Sequence, residues 1–432
     1  MITILNNSQT SKKTFLRNII FMIGDGMGVS YTSAYRYMKN QDPFEQVKRT
    51  SFDPYLVGQQ MTYPNDPFLN ITDSAAAATA LATGVKTYNG AISVNRELKK
   101  LRTILEAAKE NGKLTGIIAT SEITHATPAA FGSHNTDRNN MNEIANSYFD
   151  ERMNGKHKID LLLGGGEEFF VRKDRDLSKE FMNDGYSYIT NRSELLKNKN
   201  HKLLGLFAKR EIPKMIDRPK NIPSLEEMAH TAIQCLNQHS NGFFLFIEGS
   251  QIDWGGHNHD IVSVMSEITD FEKAFNCAIN FARTDEHTLV IATADHSTGG
   301  FTIGANGHYY WNSETIGAFK RTPGYLANEL LLGANLNDIL LKYTDCLFTS
   351  DEVKNIEEAI QTYKPEKIEN AFKTIIDKRT NTIWTTDGHT GEDVPIYAYG
   401  PYKENFAGLL DNTDIAKCLF EIIERKQVIL AH

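Results

Sequence analysis

Short runs of apolar residues alternate along this chain with segments whose apolar positions recur every three or four residues. The short runs predict strands that are buried on both faces. They are 18–23, 114–119, 160–163, 243–247, 289–293 and 395–399. The segments between them predict helices with one apolar face, as at 104–111, 225–237 and 261–282. This alternation predicts an α/β fold with a large, mostly parallel central β-sheet flanked by helices on both faces.

One stretch, 301–386, breaks this alternation and is too long for an ordinary loop. It contains apolar anchors such as Trp311 and Leu331, which argue against disorder. Its segments with helical periodicity are 325–340, 350–362 and 365–377. We therefore expect a single α/β domain over 1–432, with 301–386 inserted in it as a helical or irregular cap subdomain.

Polar residues of one chemical type follow the predicted strands, at the sheet edge where ligands bind in parallel α/β folds. The candidates after the strands are Asp25, His125, Thr127, Glu248, Asp253, His257, Asp295 and His296. His389 instead precedes the last predicted strand, so we expect its segment to fold back to reach the same edge. A random scatter of polar residues would not give this pattern.

Carboxylates, imidazoles and a hydroxyl in this set are all ligands for divalent metals. Two groups mix oxygen and nitrogen and leave positions open, as a catalytic zinc site requires. They are Asp253, His257 and His389, and Asp25, Asp295 and His296. Asp25, Thr127 and Glu248 offer only oxygen atoms, which suits magnesium. Each residue alone is more typical of a surface turn, so the metal interpretation depends on their joint placement.

The segment 72–84 places a serine at the start of an alanine-rich helix. Unpaired N–H groups and the helix dipole attract anions there, so the Ser74 hydroxyl would face a bound phosphate. The alternative is that Asp73 or Ser74 only caps the helix. Beside two metal ions Ser74 becomes a candidate nucleophile, and the planar guanidinium of Arg138 could bind two phosphate oxygens. A lone arginine would otherwise be assigned to the surface.

Composition narrows the possible partners. The formal net charge of -8 argues against nucleic acid as a stable partner. The 4 cysteines form no CxxC pair, so they indicate neither a cysteine zinc site nor a disulfide framework. No apolar stretch approaches the length of a membrane span. The polar N-terminus, 1–13, lacks the pattern of a signal peptide.

In combination, these motifs resemble the alkaline phosphatase family. The segment 72–90 looks like its nucleophile helix, with Ser74 in the phosphoserine position. Thr127 and Arg138 fit its magnesium threonine and phosphate-binding arginine. The remaining ligand motifs occur in the family's order along the chain. The resemblance covers nearly all of the chain outside the N-terminus and the insertion.

The resemblance implies a phosphomonoesterase that is phosphorylated on Ser74 and then releases inorganic phosphate. It implies a first zinc on Asp253, His257 and His389, a second on Asp25, Asp295 and His296, and a magnesium on Asp25, Thr127 and Glu248. Family members are commonly exported homodimers, which implies a periplasmic or secreted protein acting on phosphate monoesters of broad type. Several carry an insertion between their last two metal motifs, similar in placement to 301–386.

Two positions that vary within the family belong to the expected substrate-binding set with Arg138. His125 stands where some members have aspartate, so the identity of the third metal is open. Trp254 stands where some have lysine, and its indole offers a hydrogen-bond donor but no charge.

Relatives with the same sheet and metal pair provide alternatives. A sulfatase would need a C/S-x-P-x-R context, whereas alanines follow Ser74. A phosphodiesterase usually presents threonine and lacks the magnesium residues, and a phosphoglycerate mutase would carry a separate sugar-phosphate domain. A metal-binding or adhesive protein that has kept this fold is the non-enzymatic alternative.

Overall fold

A ten-stranded sheet forms the centre of the computed structural model, which describes residues 16–40 and 46–425. The N-terminal segment 1–13, considered above for a signal peptide, lies outside these residues. In chain order the strands are β1 (Asn18–Gly24), β2 (Leu56–Met61), β3 (Leu114–Glu122), β4 (Leu161–Gly165), β5 (Ser187–Ile189), β6 (Leu203–Leu206), β7 (Phe243–Gly249), β8 (Thr288–Thr293), β9 (Val394–Tyr399) and β10 (Gly408–Asp411). Across the sheet they follow the order β10-β2-β9-β8-β1-β7-β3-β4-β6-β5.

The direction of these strands explains how the last metal motif reaches the site. From β8 to β5 all neighbours are parallel, whereas β9 is antiparallel to both β8 and β2. The start of β9 therefore lies at the edge where the parallel strands end. His389 precedes β9 and reaches that edge directly, so the expected fold back is wrong. The mostly parallel α/β fold itself is confirmed.

Each face of the sheet packs on its own hydrophobic core because strand side chains alternate between faces. In β1, Ile20 and Met22 enter one core, and Ile19, Phe21 and Ile23 enter the other. The first core includes the helices Leu225–Leu236 and Ile261–Asp285. The second includes the helices Ser74–Thr83, Ile104–Glu110, Ala126–Gly132 and Asn412–Glu424.

Further helices surround this framework. They are Val29–Met38, Met141–Asp150, Glu167–Phe170, Leu177–Asn183, Arg192–Lys197 and Gln251–His257, with 3-10 turns at Asp53–Tyr55 and Lys403–Phe406. Short two-stranded pairings join Arg152–Met153 to Lys156–His157, Ser297–Thr298 to His389–Thr390, and Thr302–Ile303 to Thr382–Ile383. Within the part of the chain described, no helix has the length and apolar character needed to cross a bilayer.

The region 301–386 is largely helical and extends the first core. Its helices are Glu314–Ala318, Pro323–Leu331, Leu336–Tyr343, Ser350–Ile360 and Pro365–Thr380. The single helix predicted over 325–340 is wrong, since two helices occupy this stretch. Gly333 lies between them with φ 93°, and the Asn335 side chain caps the second helix. A left-handed glycine followed by a cap ends one helix and begins another. A separate cap subdomain stays a prediction.

Candidate metal and catalytic centre

Neighbouring strands of the sheet deliver most of the candidate residues to one edge. Asp25 follows β1, Glu248 lies at the end of β7, and Asp295 and His296 follow β8. These three strands are adjacent in the sheet, so their carboxyl ends meet. Asp25, Glu248, Asp295 and His296 are each fully buried. The fold therefore brings three carboxylates and an imidazole together in one buried site.

Asp253, His257 and His389 lie close together, and His296 joins Asp253 and His389 in a group whose ligand atoms lie within 4.8 Å of one another. His257 Nε2 lies 3.2 Å from Asp253 Oδ2 and 3.2 Å from His389 Nε2. His257 Nδ1 donates to the Asp387 carbonyl, and His389 Nδ1 donates to the Thr72 carbonyl at 2.9 Å. Because a carbonyl only accepts, a neutral ring in either place has its lone pair on Nε2. Two lone pairs so close require a proton or a cation between them, which suits a metal site.

Asp25, Asp295 and His296 form a second group with ligand atoms within 4.8 Å of one another. His296 Nε2 lies 3.5 Å from Asp25 Oδ1 and 3.3 Å from Asp295 Oδ2. Burial, and next the charge of His389, hold the pKa of His296 well below its usual value. A neutral imidazole beside two carboxylates is a suitable metal-ligand set.

Asp25 also belongs to a third group, with Glu248 and His125. Among residues 16–40 and 46–425, both Asp25 oxygens, Glu248 Oε1, Thr127 Oγ1 and His125 Nδ1 are buried without a hydrogen-bond partner. Buried polar atoms are normally paired, so unpaired oxygens converging here fit a hard cation. His125 adds a nitrogen to this otherwise oxygen-rich group.

The acids of the centre repel one another when charged. Burial raises the pKa of Glu248 to about 8. Burial and the charge of Asp253 raise the pKa of Asp295 to about 7. Burial and the charge of Asp295 raise the pKa of Asp25. Asp253 differs: burial raises its pKa, but the hydrogen bond from His257 and nearby histidine charges hold it well below normal. Cations in the centre would restore the charged carboxylates.

Ser74 is the first residue of its helix, and Asp73 is the cap. The Asp73 side chain accepts from the Ala76 N–H at 2.9 Å, so the capping role does not use the serine. Ser74 Oγ lies 3.1 Å from His296 Nε2, within the second group. The serine hydroxyl thus lies where the helix N-terminus and a metal-ligand group meet.

Arg138 and His125 lie beside this hydroxyl's helix. Arg138 Nη1 donates to Asp73 Oδ2 at 3.0 Å, and Arg138 Nη2 lies 3.2 Å from His125 Nε2. The Trp254 ring meets the His125 ring edge-on, with centroids 5.5 Å apart. Burial, and next the charge of Arg138, lower the pKa of His125 to about 3. A neutral His125 can therefore accept from the guanidinium at Nε2. In that tautomer Nδ1 carries the proton, so His125 would have to lose either this proton or the Arg138 contact before a ring nitrogen could bind a cation.

Sequence reasoning missed several groups that orient these residues. Thr298 donates its hydroxyl to Asp253 Oδ1, and Tyr31 donates to the Thr298 carbonyl at 2.6 Å. Asp73 was recognised only as a cap, although it also orients Arg138. Its position beside Ser74 was the available signal of this role. Main-chain carbonyl acceptors such as that of Thr298 cannot be identified from the sequence, because every residue has a carbonyl.

A serine at a helix N-terminus, beside buried carboxylates and imidazoles at the carboxyl ends of parallel strands, is an arrangement suited to the hydrolysis of phosphoric esters. The alkaline phosphatase family model matches residues 16–425, and the chain belongs to that family. The family's established reaction is the hydrolysis of phosphate monoesters, and this chain is such a phosphomonoesterase.

Individual relatives agree with this assignment. The chain is 58% identical to alkaline phosphatase 3 of Bacillus subtilis, over 95% of this chain and 89% of the relative. It is 54% identical to alkaline phosphatase 4 of the same organism, over 97% of this chain and 91% of that protein. The crystal structure of a cold-active alkaline phosphatase from Shewanella sp. superposes with a TM-score of 0.88 and 38% identity, covering 94% of this chain and all of that one.

Proposed function

We propose that this phosphatase works through a phosphoserine on Ser74, with two zinc ions and one magnesium ion per subunit. The observation that carries the proposal is the position of Ser74 Oγ, 3.1 Å from His296 Nε2 at the start of its helix. A nucleophile must be exposed to the phosphorus while its helix N–H groups stabilise the phosphate oxygens.

Asp253, His257 and His389 would hold the first zinc, and Asp25, Asp295 and His296 the second. Asp25, Thr127 and Glu248 would hold magnesium, with His125 close enough to affect which metal is preferred. When bound, the metals would lower the pKa of oxygens coordinated to them and neutralise charge on the phosphoryl group. The buried atoms without partners described above support this assignment.

In the first half of the reaction, Ser74 Oγ loses its proton and forms a bond to phosphorus. The bond from phosphorus to the ester oxygen breaks, and the alcohol leaves with a proton. In the second half, water attacks the phosphoserine, its phosphorus–oxygen bond breaks, and Ser74 regains its proton as inorganic phosphate is released. The helix N-terminus favours the anionic phosphate in both halves.

Arg138 would bind two phosphate oxygens and fix the group for in-line attack. Its guanidinium is planar and oriented by Asp73, so little freedom is lost on binding. His125 and Trp254 would complete the wall around the phosphate. Because these groups would contact only the phosphate, phosphate monoesters of broad type are the proposed substrates.

The wider setting follows the family. We propose a homodimer that is exported to the periplasm or secreted, with 301–386 as a cap subdomain near the site. A variant lacking 301–386 that remained dimeric would argue against a dimerisation role for this segment.

The test is phosphate release from an aryl phosphomonoester at alkaline pH, before and after chelation, with a diester assayed in parallel. We expect loss of activity on chelation, recovery with zinc and magnesium together, and strong preference for the monoester. Greater activity on the diester would favour a phosphodiesterase. Bound zinc without turnover of either ester would favour a non-enzymatic metal-binding protein.

A further inference from the structure

The helix Pro365–Thr380 contacts both chain segments that carry the histidines of the first zinc group. Lys373 and Asp377 lie four residues apart, on one face of this helix. Lys373 Nζ donates to the Asn258 carbonyl at 2.6 Å. Asp377 Oδ1 accepts from Trp384 Nε1 at 3.3 Å. Asn258 directly follows one zinc-group histidine, and Trp384 lies five residues before the other, so the helix joins the two segments.

Trp384 forms the centre of this connection. Its indole lies parallel to the His259 ring, with centroids 5.2 Å apart and an interplanar angle of 9°. The Phe301 ring packs on it at 4.9 Å. His259 Nε2 donates to the Thr386 carbonyl at 3.0 Å. His259 also has φ 53°, which is unfavourable for a residue with a Cβ, so its contacts must hold it in this conformation.

The residues after Trp384 are hydrogen-bonded to the segments around the zinc group, so the position of Trp384 affects that group. Thr386 N–H donates to the Gly299 carbonyl at 3.3 Å, and Gly299 N–H donates to the Gly388 carbonyl at 2.8 Å. Between them, the Asp387 carbonyl accepts from His257 Nδ1. A carbonyl that fixes Nδ1 also fixes the direction of the Nε2 lone pair. Displacing this segment would therefore turn the His257 ring.

Gly299 shows how closely the indole is fitted to this backbone. Its φ is 77°, and a Cβ placed on it would lie 2.6 Å from the Trp384 ring. The backbone at 299 and the indole therefore contact each other directly. A smaller side chain at 384 would leave a cavity against the residues that orient the zinc histidines.

We propose that Trp384 is a positioning residue for the zinc site of Asp253, His257 and His389, and that it couples this site to the inserted region. The inference rests on the zinc assignment of the proposed function. It adds that residues of 301–386 set the zinc affinity of one site without ligating the metal. Outer groups that orient ligands typically change metal affinity by about 10–100-fold.

The test measures zinc and magnesium per subunit, and the rate of zinc loss to a chelator, for the metal-loaded protein. Trp384→Ala should release one zinc about 10–100-fold faster than wild type, while the second zinc and magnesium leave at wild-type rates. Trp384→Phe keeps a stacking ring but loses the N–H donor, so its rate should lie between the two. Asp377→Ala removes the acceptor and should resemble Trp384→Phe.

Trp311→Phe is the matched control in the same region. Trp311 Nε1 donates to Thr382 Oγ1 at 2.9 Å. Within residues 16–40 and 46–425 it forms no hydrogen bond with His257 or His389. Zinc loss from this variant should match wild type.

The outcomes separate this inference from the proposed function. Wild-type protein that holds no zinc overturns both. Zinc-loaded wild type with unchanged zinc loss in Trp384→Phe and Asp377→Ala overturns only the role of Trp384. Equal acceleration of all three metals in Trp384→Ala, with a matching fall in Tm, also overturns it, because general loosening would then explain the result.

Discussion

Buried charges are compensated differently at the two ends of the parallel strands. We call the end where these strands begin the amino edge and the end where they finish the carboxyl edge. At the amino edge, Lys109 Nζ makes two hydrogen bonds to Asp160, at 2.8 and 2.6 Å, and Lys158 pairs with Glu151. At the carboxyl edge, both Asp25 oxygens lack hydrogen-bond partners within the ranges described, and the neighbouring Asp295 carries the same sign. The lysines compensate the buried carboxylates at the amino edge, whereas bound cations would be needed to compensate Asp25 and Asp295 at the carboxyl edge.

This difference separates residues that stabilise the fold from residues that serve the reaction. A buried ion pair becomes costly when one partner is removed, because the other charge remains buried. A cluster of like charges is already unfavourable, so removing one member relieves repulsion. Variants at the two edges should therefore have opposite effects on stability and on activity.

The largest expected effect comes from a pair of variants that each remove one hydroxyl, at the carboxyl edge and at the amino edge. Ser74→Ala should lower phosphomonoesterase kcat by at least about 10³-fold, because the nucleophile is lost, while metal content and Tm stay unchanged. Thr115→Val removes a buried hydrogen bond of 2.6 Å to the Lys158 carbonyl at the amino edge. It should cost about 1–2 kcal/mol of unfolding free energy and leave kcat intact. Substantial phosphate release by Ser74→Ala would exclude the phosphoserine mechanism.

Matched Asp→Asn variants test the charge difference directly. Asp160→Asn removes the negative charge that compensates the buried Lys109 ammonium and should lower the free energy of unfolding by about 3 kcal/mol in urea denaturation. Asp295→Asn keeps the acceptor for the Gly26 N–H and removes one repelling charge. Its metal-free form should be at least as stable as wild type at pH 8, but it should bind less zinc. Equal destabilisation by the two variants would contradict the distinction between the edges.

The sequence predicted the interior of the sheet better than its margins. β1, β3, β7 and β8 are fully buried, and each contains a short apolar run. β2 contains Gly58, Gln59 and Gln60 and is only partly buried, and no residue of β10 is buried, so neither shows a buried apolar run. Their pairing partners define them as strands. The direction of β9 is likewise set by pairing and cannot be read from apolar residues.

At the site, the types of ligand could be predicted but their orientation could not. Asp253 and His257 lie four residues apart in the helix Gln251–His257, a spacing that places both on one face. The Nδ1 atoms of His257 and His389 are fixed by the carbonyls of Asp387 and Thr72. Any residue supplies a carbonyl, so only the fold reveals these contacts.

The pH dependence of the free energy of unfolding, measured on the metal-free protein, tests the charge cluster at the carboxyl edge. The pKa values of Glu248, about 8, and Asp295, about 7, exceed those expected in the unfolded chain because burial disfavours their charged forms. Above about pH 7 the acids and histidines of the unfolded chain are already mostly deprotonated, whereas these folded-state carboxyls still hold protons. The free energy of unfolding should therefore fall as pH rises from about 7 to 9. We expect a fall on the order of 2 kcal/mol after chelation, measured in urea.

Asp295→Asn is the control for this series, because it removes one of the raised groups and should flatten the dependence. Saturating zinc and magnesium should oppose the loss, since metals compete with protons for the same oxygens. A gain of stability with pH in chelated wild type would contradict the unpaired carboxyl edge.

The smallest expected effect comes from adding a second positive charge beside Arg138 at the carboxyl edge. Trp254→Lys would place an ammonium beside His125, near the guanidinium of Arg138. An added charge several ångströms from a bound phosphate contributes about 1 kcal/mol in partly solvated surroundings, so inhibition by inorganic phosphate should tighten roughly 3–10-fold. Turnover should slow if product release is limiting.

Trp254→Leu removes the same ring without adding charge, and competitive phosphate inhibition should separate the two variants. If both variants bind phosphate equally, the phosphate does not experience the charge at 254, and Trp254 would then act through packing on His125 alone.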